Sequence, residues 1–237
     1  MDSNALKLKL AAEVAQRVQS GQVLGIGTGT TVDLVIDSIG QRLKSDLSDI
    51  HAIVSSYETA WRCEAAGIQV LHSGYAGPVN WGFDGADSVD SSLRLIKGGG
   101  GALLREKIVA LRSATFTIIV DQSKMVSSLL DGAAVPIEVI PEALPLVQGE
   151  LLRMGVVEAK IRQAQGKHGP IITESGNLIL DARFPAYPDE LEPQLKQIVG
   201  VVESGLFFGY ADEVWIAGPK GVEKRAANRA HKGRTSP

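Results

Sequence analysis

Cysteine is nearly absent. Cys63 stands alone in 237 residues, so no disulfide can close within the chain, and a reducing, cytoplasmic setting is expected. No N-terminal stretch joins a basic start to a long apolar core, and no apolar run approaches the length that spans a bilayer, so neither a leader nor a membrane anchor is read. Charge of one sign is not in large excess: a net charge of -3 removes any general reason to expect nucleic-acid binding. Only the C-terminus is locally basic, through Lys220, Lys224, Arg225, Arg229, Lys232 and Arg234. Because residues 223–237 lack an apolar stripe, they are read as a solvated, disordered tail. Internal repeats and low-complexity segments are missing too. His51, His72, His168 and His231 lie scattered outside every motif, and none is assigned a role.

What the chain does have is length and apolar content for a buried core, 44% hydrophobic against 22% charged, with a prior of one or two domains. Leu10, Ala11, Val14, Ala15 and Val18 recur at helical spacing, and Gly21 stops that helix before a short apolar run at residues 23–26. A Gly- and Thr-rich turn at residues 27–31 then leads into a second amphipathic helix through Val32, Val35, Ile36, Ile39 and Leu43. Strands are expected at 51–55, 69–71 and 115–120, with a helix at 57–66. After Asp121 the pattern changes to strands at 137–140, 156–161, 171–173 and 178–182, helices at 141–154 and 188–199, and a hairpin-type turn at Gly176-Asn177. Residues 211–217 read as a buried strand returning to the first sheet. The predicted fold is therefore α/β: a Rossmann-like, mostly parallel sheet domain (residues 1–131 and 207–237) with a smaller inserted α+β domain (132–206). Trp61, Trp81 and Trp215 are taken as core or interface residues.

Chemistry concentrates in residues 83–107, FDGADSVDSSLRLIKGGGGALLREK. Asp84 and Asp87 sit in a turn that also contains Gly85 and Ala86. Ionised carboxylates there can accept from two neighbouring sugar hydroxyls, or the pair can simply shape the turn. Neither a histidine nor a third carboxylate nearby completes a metal set, so no metal and no cofactor is expected. Lys97 ends an apolar run, and Gly98, Gly99, Gly100 and Gly101 let a ligand press against backbone amides at the start of the helix that carries Glu106. An isolated Glu106 reads as a solvated helix carboxylate, and Lys97 as a charge ending a strand. Together they describe a base beside a carbonyl and an ammonium that stabilises the developing enolate oxygen. Thr28, Gly29, Thr30 and Thr31 place hydroxyls and amides at a helix start, suited to phosphate or to a plain helix cap. A dinucleotide is disfavoured, since no acidic residue ends the strand at 51–55.

The segments GIGTGTTVD, SSYET, FDGAD, IKGGGGALLREK, VDQSK, ITESGNLILD and GVVESGLF follow one another in the order found in the ribose-5-phosphate isomerase type A family, which the chain resembles over residues 5–222. That resemblance implies a cofactor-free interconversion of D-ribose 5-phosphate and D-ribulose 5-phosphate through an enediol, a step of the non-oxidative pentose phosphate pathway. It gives Glu106 the role of general base, and Asp84, Asp87 and Lys97 those of orienting substrate and stabilising the oxyanion. It assigns Thr28 to Thr31 and Lys124 to the phosphate end, with Lys7 as a weaker candidate there. Ser55, Ser56 and Thr59 match a family motif near the sugar, and a helix cap explains them almost as well. The family implies a homodimer or homotetramer with a small sugar phosphate as its partner. One departure stands out: where the family usually has an acidic residue after DGAD, this chain has Ser88. A related sugar phosphate as substrate, a sugar-phosphate sensor without turnover and a CoA-transferase-like enzyme on the same fold are the alternatives.

Overall fold

A computed structural model describes residues 3–227. In chain order the first half runs α1 (Ser3–Gln16), β1 (Val23–Ile26), α2 (Thr30–Leu43), β2 (His51–Val54), α3 (Tyr57–Ala66), β3 (Gln69–Val70), β4 (Trp81–Asp84), β5 (Ser88–Val89), β6 (Leu95–Ile96), α4 (Leu103–Arg112) and β7 (Phe116–Asp121). The second half runs β8 (Val135–Val139), α5 (Leu144–Arg153), β9 (Glu158–Ile161), β10 (Leu178–Arg183), α6 (Leu191–Lys196), β11 (Val201–Ser204), β12 (Leu206–Phe207), β13 (Glu213–Gly218) and β14 (Gly221–Ala226). The chain divides into two compact units. Among the described residues, the first comprises the N-terminal stretch through Ala86, residues 105–125 and the chain from Gly209 onward, and the second residues 87–104 and 126–208.

The first unit is built on a seven-stranded sheet in the order β14-β13-β7-β4-β1-β2-β3, parallel throughout except for the β13–β14 hairpin. Parallel strands are covered on both faces, so they read as continuous apolar runs, and Ile118, Ile119 and Val120 of β7 are all buried. The stripe Leu10, Ala11, Val14, Ala15 and Val18 is wholly buried and joins Val32, Val35, Ile36 and Ile39 in one core. Strand order reverses at β1: the chain moves outward through β2 and β3 on one side and through β4, β7 and β13 on the other. In open α/β sheets that reversal leaves a crevice at the carboxyl ends of the two central strands.

The second unit holds a four-stranded antiparallel sheet, β11-β8-β10-β9, and a small sheet of order β12-β6-β5. Its core gathers Ile137, Val139, Val147, Leu151, Leu180, Leu191 and Leu195. Thr173 N–H donates to the Asn177 carbonyl at 2.9 Å and Gly176 takes φ 82, so the hairpin-type turn forms, yet residues 171–173 are not a strand. Only an isolated bridge, Gln163 to Pro170, pairs there. The apolar pair Ile171-Ile172 gave a strand-like pattern without a ladder to join.

One further expectation needs correcting. Residues 223–226 are not a tail but most of β14, whose Lys224 ammonium lies 3.6 Å from the Trp215 ring centroid. A strand exposed on an edge needs no apolar stripe, which is why its pattern looked disordered. Arg229, Lys232 and Arg234 lie outside the described residues. Trp81 and Trp215 are buried, whereas Trp61 is 64% exposed and stacks on Tyr57. Among the described residues no helix is long and apolar enough to cross a membrane.

Candidate active site

The first unit positions its site residues through close backbone approaches at the strand-order reversal. Gly25 and Gly82 are register partners on β1 and β4, and a Cβ on either would lie within 2.4 Å of Ser113 Oγ at the end of α4. Two glycines thus let α4 rest directly on the sheet. Ser113 bridges to Val79 before β4, so α4 runs back toward the carboxyl ends of the strands, carrying Glu106 in its first turn to that edge. Glu106 is 3% exposed, which removes the reading of a solvated helix carboxylate. Lys107 is equally buried beside the Tyr210 ring, while Arg105 lies over the Tyr57 ring.

At the same edge, Asp84 ends β4 fully buried, and its Oδ1 accepts from Thr28 N at 3.1 Å and Gly85 N at 2.7 Å. A Cβ on Gly27 would fall 1.9 Å from Asp84 Cγ, so only glycine allows this carboxylate its place. Thr28 Oγ1 lies 2.7 Å from Ser55 Oγ, 2.8 Å from Ser56 Oγ and 3.0 Å from Thr59 Oγ1. Thr59 in turn donates to the Gly27 carbonyl, and Ser56 caps α3 by accepting from Thr59 N. The hydroxyls of the GIGTGT and SSYET motifs therefore form one knot that fixes the turn. Gly29 takes φ 142 as the N-cap of α2, with no side-chain cap, so the first-turn amides at Thr30 and Thr31 face no competing side chain of the cap. Lys7 is engaged elsewhere: its ammonium is 3.2 Å from Asp121 Oδ2. Burial raises the Asp121 pKa, but hydrogen bonds from Ser123 and from Lys7 outweigh it and hold the carboxyl below the usual range. Lys124 closes the single turn of 3-10 helix that Asp121 caps.

The second unit holds the remaining candidate residues. Asp87 Oδ2 accepts from Gly99 N at 2.8 Å, and a Cβ on Gly99 would lie 2.6 Å from Asp87 Oδ1. Gly98 and Gly101 take φ 94 and 86, closing a turn in which Gly101 N donates to the Gly98 carbonyl at 3.0 Å. Gly100 is open: a Cβ there would meet nothing within 4 Å. Lys97 is 2% exposed, with its ammonium 5.5 Å from the Phe207 ring centroid. Its backbone N–H donates to the Gly205 carbonyl, and a Cβ on Gly205 would fall 2.2 Å from the Lys97 carbonyl oxygen. Gly205 and Phe207 belong to the GVVESGLF segment, whose part in seating Lys97 was not read from its residues. Ser88 is buried and its Oγ accepts from Ala133 N at 2.8 Å, so the hydroxyl serves the fold. Among the described residues no group of three or more His, Cys, Asp or Glu side chains is placed to hold a metal ion.

A mostly parallel α/β sheet with a buried carboxylate and a glycine-backed turn at its order reversal defines a Rossmann-like α/β protein. The comparisons narrow this class to one family. Residues 51–221 match the family model of ribose 5-phosphate isomerase A (phosphoriboisomerase A). The chain is 40% identical over 225 residues to a ribose-5-phosphate isomerase A of Methanococcus maripaludis, covering 94% of this chain and 93% of that protein. The solved structure of ribose 5-phosphate isomerase A from Methanocaldococcus jannaschii superposes with a TM-score of 0.89 at 38% identity, over 95% of this chain and 100% of that one. A D-ribose-5-phosphate isomerase solved in complex with phospho-erythronic acid gives a TM-score of 0.92 at 37% identity, over 95% and 100%. The chain belongs to the ribose 5-phosphate isomerase A family.

Proposed function

We infer that the protein interconverts D-ribose 5-phosphate and D-ribulose 5-phosphate, with Glu106 as the proton shuttle. The observation that carries this reading is the burial of Glu106, 3% exposed in the first turn of α4, in a chain of this family. Burying a carboxylate costs folding free energy even where it is partnered, so its burial in the first turn of α4 supports a chemical role. In the proposed reaction the open-chain aldose loses its C2 proton to Glu106 and the carbonyl oxygen gains negative charge opposite the Lys97 ammonium; that oxygen takes the proton of the C2 hydroxyl, and as the C2–O bond becomes the new carbonyl Glu106 returns its proton to C1. Asp84 and Asp87 accept from substrate hydroxyls; each has one oxygen already pinned by backbone amides, which fixes the direction of the carboxylate. The α2 first turn at Gly29, Thr30 and Thr31, with Thr28 and Lys124, takes the phosphate. Lys7 contributes there only by leaving Asp121. The amides of Gly98 and Gly100, with Gly99 holding Asp87 through its own N–H, and the DGAD turn at Gly85 and Ala86 complete the substrate contacts.

A relative's structure in complex with phospho-erythronic acid, a phosphorylated sugar acid, supports this substrate class. The burial of Ser88 against Ala133 supports unchanged substrate choice despite the missing acidic residue. Assembly as a homodimer or homotetramer in the cytoplasm belongs to the same proposal, and sedimentation equilibrium tests the assembly. The deciding test is the rate of ribulose 5-phosphate formation by wild type and Glu106→Gln. The variant keeps size and polarity, so its melting temperature stays near wild type while kcat falls by about 10²- to 10⁴-fold. Wild-type kcat in the variant removes Glu106 as the base.

A further inference from the structure

The glycine loop at residues 98–101 is held from behind by a side chain no motif singled out. Arg162 follows β9 directly, and its Nη1 donates to the carbonyls of both Gly98 and Gly99, each at 2.8 Å. The rest of the guanidinium is gripped by Asp181 of β10: Nε donates to Oδ2 at 2.8 Å and Nη2 pairs with Oδ1. The Arg162 side chain is 16% exposed, so the planar fork is saturated on three sides and largely removed from water.

The geometry of a trans peptide turns this grip into an orientation. The C=O of one residue and the N–H of the next point in opposite directions. With the Gly98 carbonyl on Arg162, the Gly99 N–H points away from it, and there it donates to Asp87 Oδ2 at 2.8 Å. With the Gly99 carbonyl on the same Nη1, the Gly100 N–H must also point away from Arg162, to the side where Asp87 lies. Successive amides aimed the same way make a concavity that attracts negative charge. Four glycines in a row have no side chains to choose between peptide orientations, and φ values near +90 at Gly98 show how freely they turn. Some outside contact has to select one arrangement.

We propose that Arg162, held in line by Asp181, is a positioning residue for the isomerase reaction: it fixes the peptide planes of Gly98 and Gly99 so that the loop amides orient Asp87 and face the substrate. Arg162 touches no reacting atom; it acts through the loop. The inference rests on the isomerase reading given above, and two measurements keep the failures of the two apart.

The first measurement needs no turnover: hydrogen exchange of peptides covering residues 97–102 in wild type and Arg162→Ala. Faster exchange by about tenfold confined to this loop and to Asp87 is expected, and unchanged exchange overturns the proposal. The second is steady-state kinetics with ribose 5-phosphate. Arg162→Ala lowers kcat by roughly 10- to 100-fold, because a displacement of about 1 Å at a positioning group is felt in the barrier more than in ground-state binding. Methylguanidinium at millimolar concentration restores part of kcat by entering the vacated site beside Asp181, while methylammonium, lacking the fork, does not. A purely structural role gives no such selective rescue, and kcat within twofold of wild type, or loss that tracks only the fraction unfolded, refutes the inference. Wild type without turnover, combined with altered loop exchange in the variant, sinks the isomerase reading and leaves the clamp standing.

Discussion

Gly27→Ala is the substitution whose effect the structure specifies most tightly. The new methyl would lie 1.9 Å from Asp84 Cγ and 2.1 and 2.4 Å from its two carboxylate oxygens. Ordinary contact is about 3.5 Å, so one side must give by more than 1 Å. Gly27 cannot retreat easily, since its N–H donates to the Phe83 carbonyl at 2.9 Å and its carbonyl accepts from Thr59 Oγ1 at 2.9 Å. Asp84 gives instead, and its bonds from Thr28 N and Gly85 N stretch or break. Overpacking costs about 1–3 kcal/mol and a weakened bond to a buried carboxylate adds a similar amount, so a loss near 3 kcal/mol is expected. For a chain of this size that is a fall in Tm of roughly 6–12 °C. A carboxylate moved by about 1 Å also loses its aim, and kcat/KM falls by about 100-fold. Gly149→Ala supplies the control: its Cβ would meet nothing within 4 Å in the middle of α5, so it stabilises by about 0.5–1 kcal/mol without altering kinetics. Thermal melts and steady-state assays on both proteins decide the matter. Gly27→Ala with wild-type Tm and kcat/KM refutes the close-approach argument.

Burial pushes the Cys63 thiol up to about 12, so iodoacetamide at pH 8 leaves the native protein unlabelled and labels it fully in denaturant; rapid native labelling contradicts the placement. Because the Asp121 carboxyl sits below the usual carboxylate range when folded, its contribution is present above the unfolded pKa near 4 and is lost as pH falls through the lower folded value. The gap in denaturant midpoint between wild type and Asp121→Asn is thus open at neutral pH, closes below about pH 4, and stays under about 1 kcal/mol because the Lys7 pair is partly solvated. A gap that widens in acid reverses the sign of this argument. Ser88→Ala leaves the Ala133 amide without its acceptor, costing about 1–3 kcal/mol in equilibrium unfolding with kcat within twofold; a large kinetic loss at unchanged stability places Ser88 at the substrate after all.

The parallel sheet was legible because its strands are buried on both faces: the apolar runs at 23–26 and 115–120 had no other economical reading, and the stripe from Leu10 to Val18 matched a helix packed on them. Of the two-residue strands only β3, expected at 69–71, was read. β5, β6 and β12 have two residues each, too few for any period to register. The same limit shifted the division of the chain. Residues 87–104 join the second unit through β5 and β6, whereas the sequence pattern placed that boundary at 131/132. At the candidate site, the residues carrying charge in the glycine-rich segment were readable, since Asp84, Asp87, Lys97 and Glu106 stand within one stretch. Their supports were not: Gly205 acts by lacking a side chain beside the Lys97 carbonyl, and Arg162 and Asp181 are distant in sequence from the loop they hold. Such contacts are set by backbone geometry after folding, and spacing along a chain carries little trace of them.

The β13–β14 hairpin also governs how this sheet meets other molecules. Val214, Trp215 and Ile216 are buried in β13, and without β14 that strand would end the sheet with a row of unpaired amides and carbonyls flanked by apolar side chains. β14 takes the edge in its place and presents Glu223, Lys224 and Arg225, while the opposite edge, β3, is two residues long. Charge on one border and brevity on the other discourage a neighbouring chain from adding a strand. A chain cut just before Gly221 would keep every residue assigned to chemistry yet uncover an adhesive border, and loss of solubility, rather than loss of catalysis, would be its first symptom.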